Sequence, residues 1–249
     1  ISERALGFSA RRTLPTWQRD TFLRPGPARH AAPRDPAAVG QSADASPHVL
    51  LLVDTFTNYF EPENARAALG VLRAAGYTVQ VARAAPGDAR PRRPLCCGRT
   101  YLSAGMVDEA RTEARRLLAA LMPHVERGAA IVGLEPSCLF SLRDEYLAMG
   151  LGDDARRVAS RAFMVEEFLA AEQRAGRLRL ALHALPEARA LVHGHCHQKA
   201  FDAMGAVREV LALVPGLAVD VIDSSCCGMA GSFGYEAGHY DVSMRMAEL

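Results

Sequence analysis

The chain has 249 residues, 49% of them hydrophobic and 23% charged, and a formal net charge of +1. A chain of this length buries roughly 70 to 75% of its unfolded surface, so a core forms without disulfide staples and the cysteines call for a chemical explanation. The near-neutral balance excludes the clustered basic charge of a nucleic-acid binder, and no apolar run reaches the roughly 18 residues of a membrane helix, so a soluble, cytoplasmic protein is expected. Residues 1–47 are rich in Arg, Pro and Ala without a sustained period, while Glu3, Asp20 and Asp35 argue against a transit peptide. They read as a linker arm, with Trp17 and Phe22 expected to dock it.

From His48 the pattern sharpens. "HVLLLVD" is a short continuous apolar run, the mark of a buried parallel strand, and "PENARAALGVLRAAG" follows with helical spacing and a terminal Gly76. "YTVQVAR" predicts a second strand, "MVDEARTEARRLLAALMPHV" an amphipathic helix, and "AAIVGLEPSC" a strand running into a loop. Residues 141–175 predict two helices split by Gly150 and Gly152, with Met149, Met164 and Phe168 in the core. Then the order repeats: "ARALVHGHC" as a strand, "AFDAMGAVREVLALVPG" as a helix and "LAVDVIDSS" as a strand. Alternating strands and helices predict an α/β fold of two pseudo-repeated parallel-sheet units with flanking helices, the second unit incomplete. The predicted divisions are an arm over 1–47, a first unit over 48–140, a connection over 141–188 and a second unit over 189–249. By analogy with residues 130–138, the second unit is expected to continue past Leu249 into another strand and thiol, so the chain is expected to be a fragment or the product of a truncated gene.

Four of the six cysteines form two adjacent pairs, each followed by glycine: Cys96-Cys97-Gly98 and Cys226-Cys227-Gly228. Cys138 and Cys196 complete the set, and all six follow predicted strands, at whose carboxyl ends ligands gather in such folds. Buried free thiols explain one or two cysteines but not two matching pairs. Neighbouring cysteines bridge each other only through strained geometry, although a redox-active dithiol stays open. Thiolates converging from separate loops select zinc, copper(I) or iron-sulfur clusters, and adjacent cysteines direct their sulfurs to different atoms, which suits a polynuclear centre. Gly98 and Gly228 allow a sharp turn that brings amide N–H groups towards sulfur. His193, His195 and His197 alternate, so on a strand they share one face while Cys196 takes the other. Zinc held by these imidazoles and Cys196 is one reading; loop histidines bonding the backbone is the other. His197 or Lys199 could also meet an anionic substrate or a flavin. The glycines of "GMAGSFG" depart from a dinucleotide fingerprint.

"CCGRTYLSAGMVDEAR", "GLEPSC", "HGHCHQKA" and "SSCCGMAGSFGYE" resemble the cysteine-rich CCG domain found in the B subunit of heterodisulfide reductase and in the iron-sulfur subunit of glycolate oxidase. They most nearly resemble the C-terminal region of FAD-linked oxidases of the D-2-hydroxyglutarate and D-lactate dehydrogenase type. The resemblance implies an iron-sulfur cluster of the 4Fe-4S type, cubane or noncubane, held by Cys, CCG and CxxC. Carried over, it implies ligands Cys196, Cys226 and Cys227 in the second unit and Cys96, Cys97 and Cys138 in the first, with Cys138 able to assist the second unit. The first unit has Phe56 near its leading cysteine position and Glu135 at the first place of the CxxC. These replacements put the cluster in the second unit, with His195, His197, Glu135, Gly98 and Gly228 as supporting residues; neither unit holds the full set of thiolates, so the cluster is expected to be incomplete or absent in this chain taken alone.

The resemblance further implies electron transfer for a FAD-linked 2-hydroxy acid dehydrogenase. FAD would sit on a partner oxidase domain or subunit, beside a ferredoxin-like iron-sulfur domain, and this chain alone would be inactive. A cluster-free docking scaffold and a thiol-disulfide module are the rival expectations.

Overall fold

The computed structural model describes residues 2–24 and 48–248. In chain order the elements are α1 (Ser2–Leu6), β1 (His48–Leu52), α2 (Thr55–Tyr59), α3 (Pro62–Ala74), β2 (Thr78–Val81), α4 (Arg99–Ser103), α5 (Val107–Glu126), β3 (Ala130–Gly133), α6 (Pro136–Arg143), α7 (Glu145–Ala148), α8 (Asp153–Ala159), β4 (Ala162–Met164), α9 (Val165–Arg174), β5 (Arg189–Val192), α10 (Cys196–Ala200), α11 (Met204–Leu211), β6 (Ala218–Val221) and α12 (Tyr240–Ala247). The chain divides into two compact units, Gln18–Ala181 and Ile1–Trp17 with Leu182–Leu249. The fold is α/β, with parallel pairing in both units.

In the larger unit four parallel strands run in the order β2-β1-β3-β4. The apolar run of β1 occupies an interior position, with Leu50 opposite Ile131 and Leu51 opposite Val132, and residues 49–52 are buried. A strand covered on both faces needs apolar side chains at every position, which is why no polar alternation shows in "HVLLL". Helix α5 turns Ala110, Ala114, Leu117, Leu118 and Leu121 inward, the three-and-four spacing of a helix laid on a core. Each fully buried leucine contributes roughly 1.5 to 3 kcal/mol.

Residues 141–175 depart from the expectation of two helices. Gly150 and Gly152 have φ of +68° and +78° and interrupt the helical path as expected, but Ala162–Met164 then adds β4 to the edge of β3. Three residues carry no readable period; pairing with β3 and the burial of Met164 hold them extended. Met149, Met164 and Phe168 are buried, as the sequence predicts.

The smaller unit pairs β5 with β6 in parallel, Leu191 opposite Asp220. Residues 7–12 are clasped onto the segment before α12. Phe8 bridges Glu236, the Ser9 N–H donates to the Tyr235 carbonyl at 2.8 Å and the Ala237 N–H to that of Gly7 at 2.7 Å. Arg12 donates through Nε to the Gly234 carbonyl at 3.0 Å and through Nη2 to Ser243 Oγ at 2.7 Å, while the Arg11 guanidinium lies 3.7 Å from the Tyr240 ring centroid. Of the two aromatic anchors expected in the arm, Phe22 is buried and Trp17 is 60% exposed. Asp35 and the rest of residues 25–47 lie outside the described residues.

Both units run strand, helix, strand, Cys-Cys-Gly, helix. The glycines confirm the correspondence: Gly98 and Gly228 have φ of +81° and +77°. Each is pressed against a helix farther along the chain, where a Cβ would meet the backbone of Ala110 in α5 and of Ser243 in α12.

Candidate functional site

The left-handed turn at Gly228 points its N–H at Cys226 Sγ, 3.3 Å away, and the Gly98 N–H reaches Cys96 Sγ at 3.4 Å in the same way. Only glycine takes this backbone conformation without strain, and at Cys96 the donated amide acts to lower the thiol pKa.

In the smaller unit Cys226 Sγ lies 3.9 Å from Cys196 Sγ. Cys196 is exposed, Cys226 half-buried and Cys227 exposed. Two thiolates on one tetrahedral metal ion, each about 2.3 Å from it, lie about 3.8 Å apart, so this spacing suits a shared metal. Among the described residues no group of three or more His, Cys, Asp or Glu side chains stands assembled to hold a metal ion. Burial raises the pKa of the Cys196 thiol, with further contributions from Cys226 and Cys227, while the Lys199 ammonium opposes them.

The histidines do not alternate along a strand. β5 ends at Val192, and Cys196 opens α10. His195 is the N-cap, its Nδ1 accepting from the His197 N–H at 3.1 Å, and the two rings stack with centroids 5.2 Å apart. His193 Nδ1 lies 2.9 Å from Ser224 Oγ. These residues therefore form no alternating zinc face, and backbone-bonding loop histidines describe His195. Lys199, considered for an anionic substrate or flavin, is engaged internally: Nζ donates to the Ser224 carbonyl at 2.5 Å, the Ser225 carbonyl at 3.0 Å and Ser224 Oγ at 3.3 Å.

The larger unit differs. Cys97 and Cys138 are each only 8% exposed, and their sulfurs lie 3.0 Å apart, closer than two thiolates sharing a metal. The Tyr146 hydroxyl fixes the turn by donating to the Cys97 carbonyl at 2.8 Å. Hydrogen bonding to Cys97 and burial push the Cys96 thiol far up; hydrogen bonding to Cys138 and burial do the same for Cys97. The bond to Cys97 draws the Cys138 pKa down, but burial and the carboxylates of Glu135 and Asp54 leave it pushed up to about 11. Glu135 is the N-cap of α6, accepting from the Cys138 N–H at 2.6 Å and the Ser137 hydroxyl at 2.9 Å. Phe56 is 53% exposed. Near the leading cysteine position, Asp54 caps α2 by accepting from the Thr57 N–H at 2.9 Å.

The loop before Cys96 is held by charge. Arg116 pairs with Asp88 at 2.7 Å and donates to the carbonyls of Pro94 and Arg93 at 2.9 and 2.5 Å. Glu113, with a side chain 4% exposed, pairs with Arg93 at 2.5 Å and Arg90 at 3.2 Å. Sequence reasoning missed this network and the Lys199 tie. A lone lysine three residues after a cysteine was the one signal for the latter.

No helix among the described residues is long and apolar enough to cross a membrane. No protein-family model matches the chain, and no solved structure does. Curated relatives do. The chain is 29% identical over 244 residues to the C subunit of anaerobic glycerol-3-phosphate dehydrogenase of Escherichia coli (strain K12), covering 98% of this chain and 56% of that protein. It is 24% identical over 208 residues to D-2-hydroxyglutarate dehydrogenase of Escherichia coli (strain K12), covering 81% of this chain and 18% of that protein. To lactate utilization protein A of Geobacillus kaustophilus (strain HTA426) it is 25% identical over 198 residues, covering 76% and 75% respectively. The chain thus spans about half the length of the glycerol-3-phosphate dehydrogenase subunit it matches, and it is similar to parts of oxidoreductases.

Proposed function

We propose that this chain is an iron-sulfur electron-transfer module that serves a flavin-bearing dehydrogenase of hydroxylated substrates, 2-hydroxy acids foremost. The observation that carries the reading is the convergence of Cys196 and Cys226 on one rim, near enough to bind a common metal centre, delivered by the carboxyl ends of β5 and β6 and supported by the Gly228 amide. The 3.9 Å spacing fits two thiolates on one iron. Cys196, Cys226 and Cys227 would hold the cluster, which supplies one-electron carriage when bound. The chain's own contribution is to present these thiolates on two short turns, to donate an N–H to sulfur and to place the Lys199 cation beside them. The names of the relatives, two of them dehydrogenase proteins, support the partner class. A FAD-binding domain or subunit and a ferredoxin-like iron-sulfur domain complete the path of electrons in this reading. The buried pair Cys97 and Cys138 lies outside the ligand set.

Anaerobic reconstitution with iron and sulfide, read by metal and sulfide analysis, absorption and paramagnetic resonance, tests the proposal. The unaltered chain and Cys138→Ser take up iron and sulfide, while Cys196→Ser and Cys226→Ser lose most of it. A chain extended past Leu249 to carry the further thiols expected there that still takes up neither overturns the reading and leaves a docking domain.

A further inference from the structure

We propose that Lys199 is the positioning residue of the thiol site: its ammonium ties the helix that begins at Cys196 to the loop that delivers Cys226 and Cys227. Its purpose rests on the iron-sulfur reading; its geometry does not.

Lysine has three N–H donors and no acceptor, and all three find oxygen on the loop before the cysteine pair, two of them backbone carbonyls. Ser225, one of the acceptors, immediately precedes Cys226. At the other end, Lys199 and Cys196 stand three residues apart in α10, neighbours on the surface of a helix. The side chain therefore bridges the two elements that carry the facing sulfurs. Ser224 Oγ, bonded to Lys199, also meets His193 Nδ1, so the end of β5 joins the same network. The lysine stem has a prepared passage. A Cβ at Gly194 would come 3.0 Å from Lys199 Cε and 2.7 Å from Met204 Sδ, so the glycine leaves room for both flexible stems. Every other strong base in the chain is arginine. A compact ammonium aims three donors at one loop, whereas the flat guanidinium fork cannot match that geometry.

The test uses the full metal-free chain under reducing, anaerobic conditions. A bifunctional thiol reagent, dibromobimane, fluoresces on bridging two cysteines, and peptide mapping identifies the pair. The unaltered chain bridges Cys196 to Cys226. In Lys199→Met the bridging rate drops about tenfold or more, because the pair loses its oriented proximity, while single-site labelling of the exposed Cys227 by a monofunctional maleimide stays within about twofold. Lys199→Arg recovers part of the rate. Bridging in Lys199→Met at the unaltered rate overturns the proposal. If Lys199→Met does not fold, Lys199→Gln, which keeps an amide donor, carries the same comparison: a slowed rate supports the positioning role and an unaltered one overturns it. Failure here is distinguishable from failure of the cluster reading: iron uptake that fails while bridging depends on Lys199 sinks the cluster alone, and iron uptake that persists while bridging ignores Lys199 sinks the positioning role alone.

Discussion

Replacing Gly228 by alanine tests the close approach that builds the thiol turn. Gly228 has φ of +77°, and an alanine held there costs roughly 1 to 2 kcal/mol in backbone conformation. The added Cβ would fall on the Ser243 carbonyl oxygen, with the carbonyl carbon 2.9 Å and the Cα 3.1 Å away. These atoms are backbone within α12, and the Ser243 side chain is fastened by Arg12, so the neighbour cannot swing aside. Overpacking against a fixed wall adds about 1 to 3 kcal/mol, for a total of about 2 to 5 kcal/mol. Gly231 provides the control: its φ is +66°, and a Cβ there meets nothing within 4 Å, so alanine costs only the conformational share. Urea unfolding followed by circular dichroism gives both values, and hydrogen exchange over residues 226–243 localises the loss. Equal destabilisation of Gly228→Ala and Gly231→Ala, within about 0.5 kcal/mol, would refute the steric argument.

Three further outcomes are expected. Glu113→Ala removes a buried carboxylate from between Arg90, Arg93 and Arg116, of which Arg116 keeps Asp88, and lowers unfolding free energy by about 1 to 3 kcal/mol, measured by urea titration; a loss below about 0.5 kcal/mol would count against the network. In native maleimide labelling with mass readout, the exposed Cys196 and Cys227 react well before the buried Cys97 and Cys138; uniform rates would contradict the burial. Hydrogen bonding to Arg177 and then to Tyr77 holds the Glu172 carboxyl below its usual 4.5, against the opposing effect of burial. A depressed carboxylate stabilises the fold fully above about pH 4.5 and loses that contribution as pH falls through the lower folded value. Glu172→Gln therefore flattens the acid limb of a melting-temperature profile between about pH 6 and 3, and an unchanged slope shows that the carboxylate is not responsible.

Much of the architecture was legible because parallel strands buried on both faces write themselves as apolar runs. β1 and β3 were read from "HVLLL" and "AAIVG" for that reason, and α5 from its inward leucines and alanines. The Cys-Cys-Gly turns were legible because glycine at positive φ is a local demand. What escaped is long-range. β4 has three residues and exists through its pairing with β3. The meeting of Cys97 with Cys138, and of Arg12 with Ser243, joins positions far apart in the chain, and no local period records such contacts. His195 was misplaced onto a strand because "HGHCH" alternates; its cap on α10 depends on where β5 stops. Glu135 was singled out for its place in the CxxC pattern, and its carboxylate serves α6 as a cap.

The clasp between residues 7–12 and the segment around Tyr235 has a consequence for biosynthesis. Gln18–Ala181 is contiguous and can close as soon as it clears the ribosome, whereas the strap is made before it and the strap's docking surface after it. The smaller unit is completed only when translation reaches α12, so Cys196 and Cys226 find each other after Cys97 and Cys138 have met. A pause or a cleavage between Ala181 and α12 would leave the strap without its seat while the larger body stands finished.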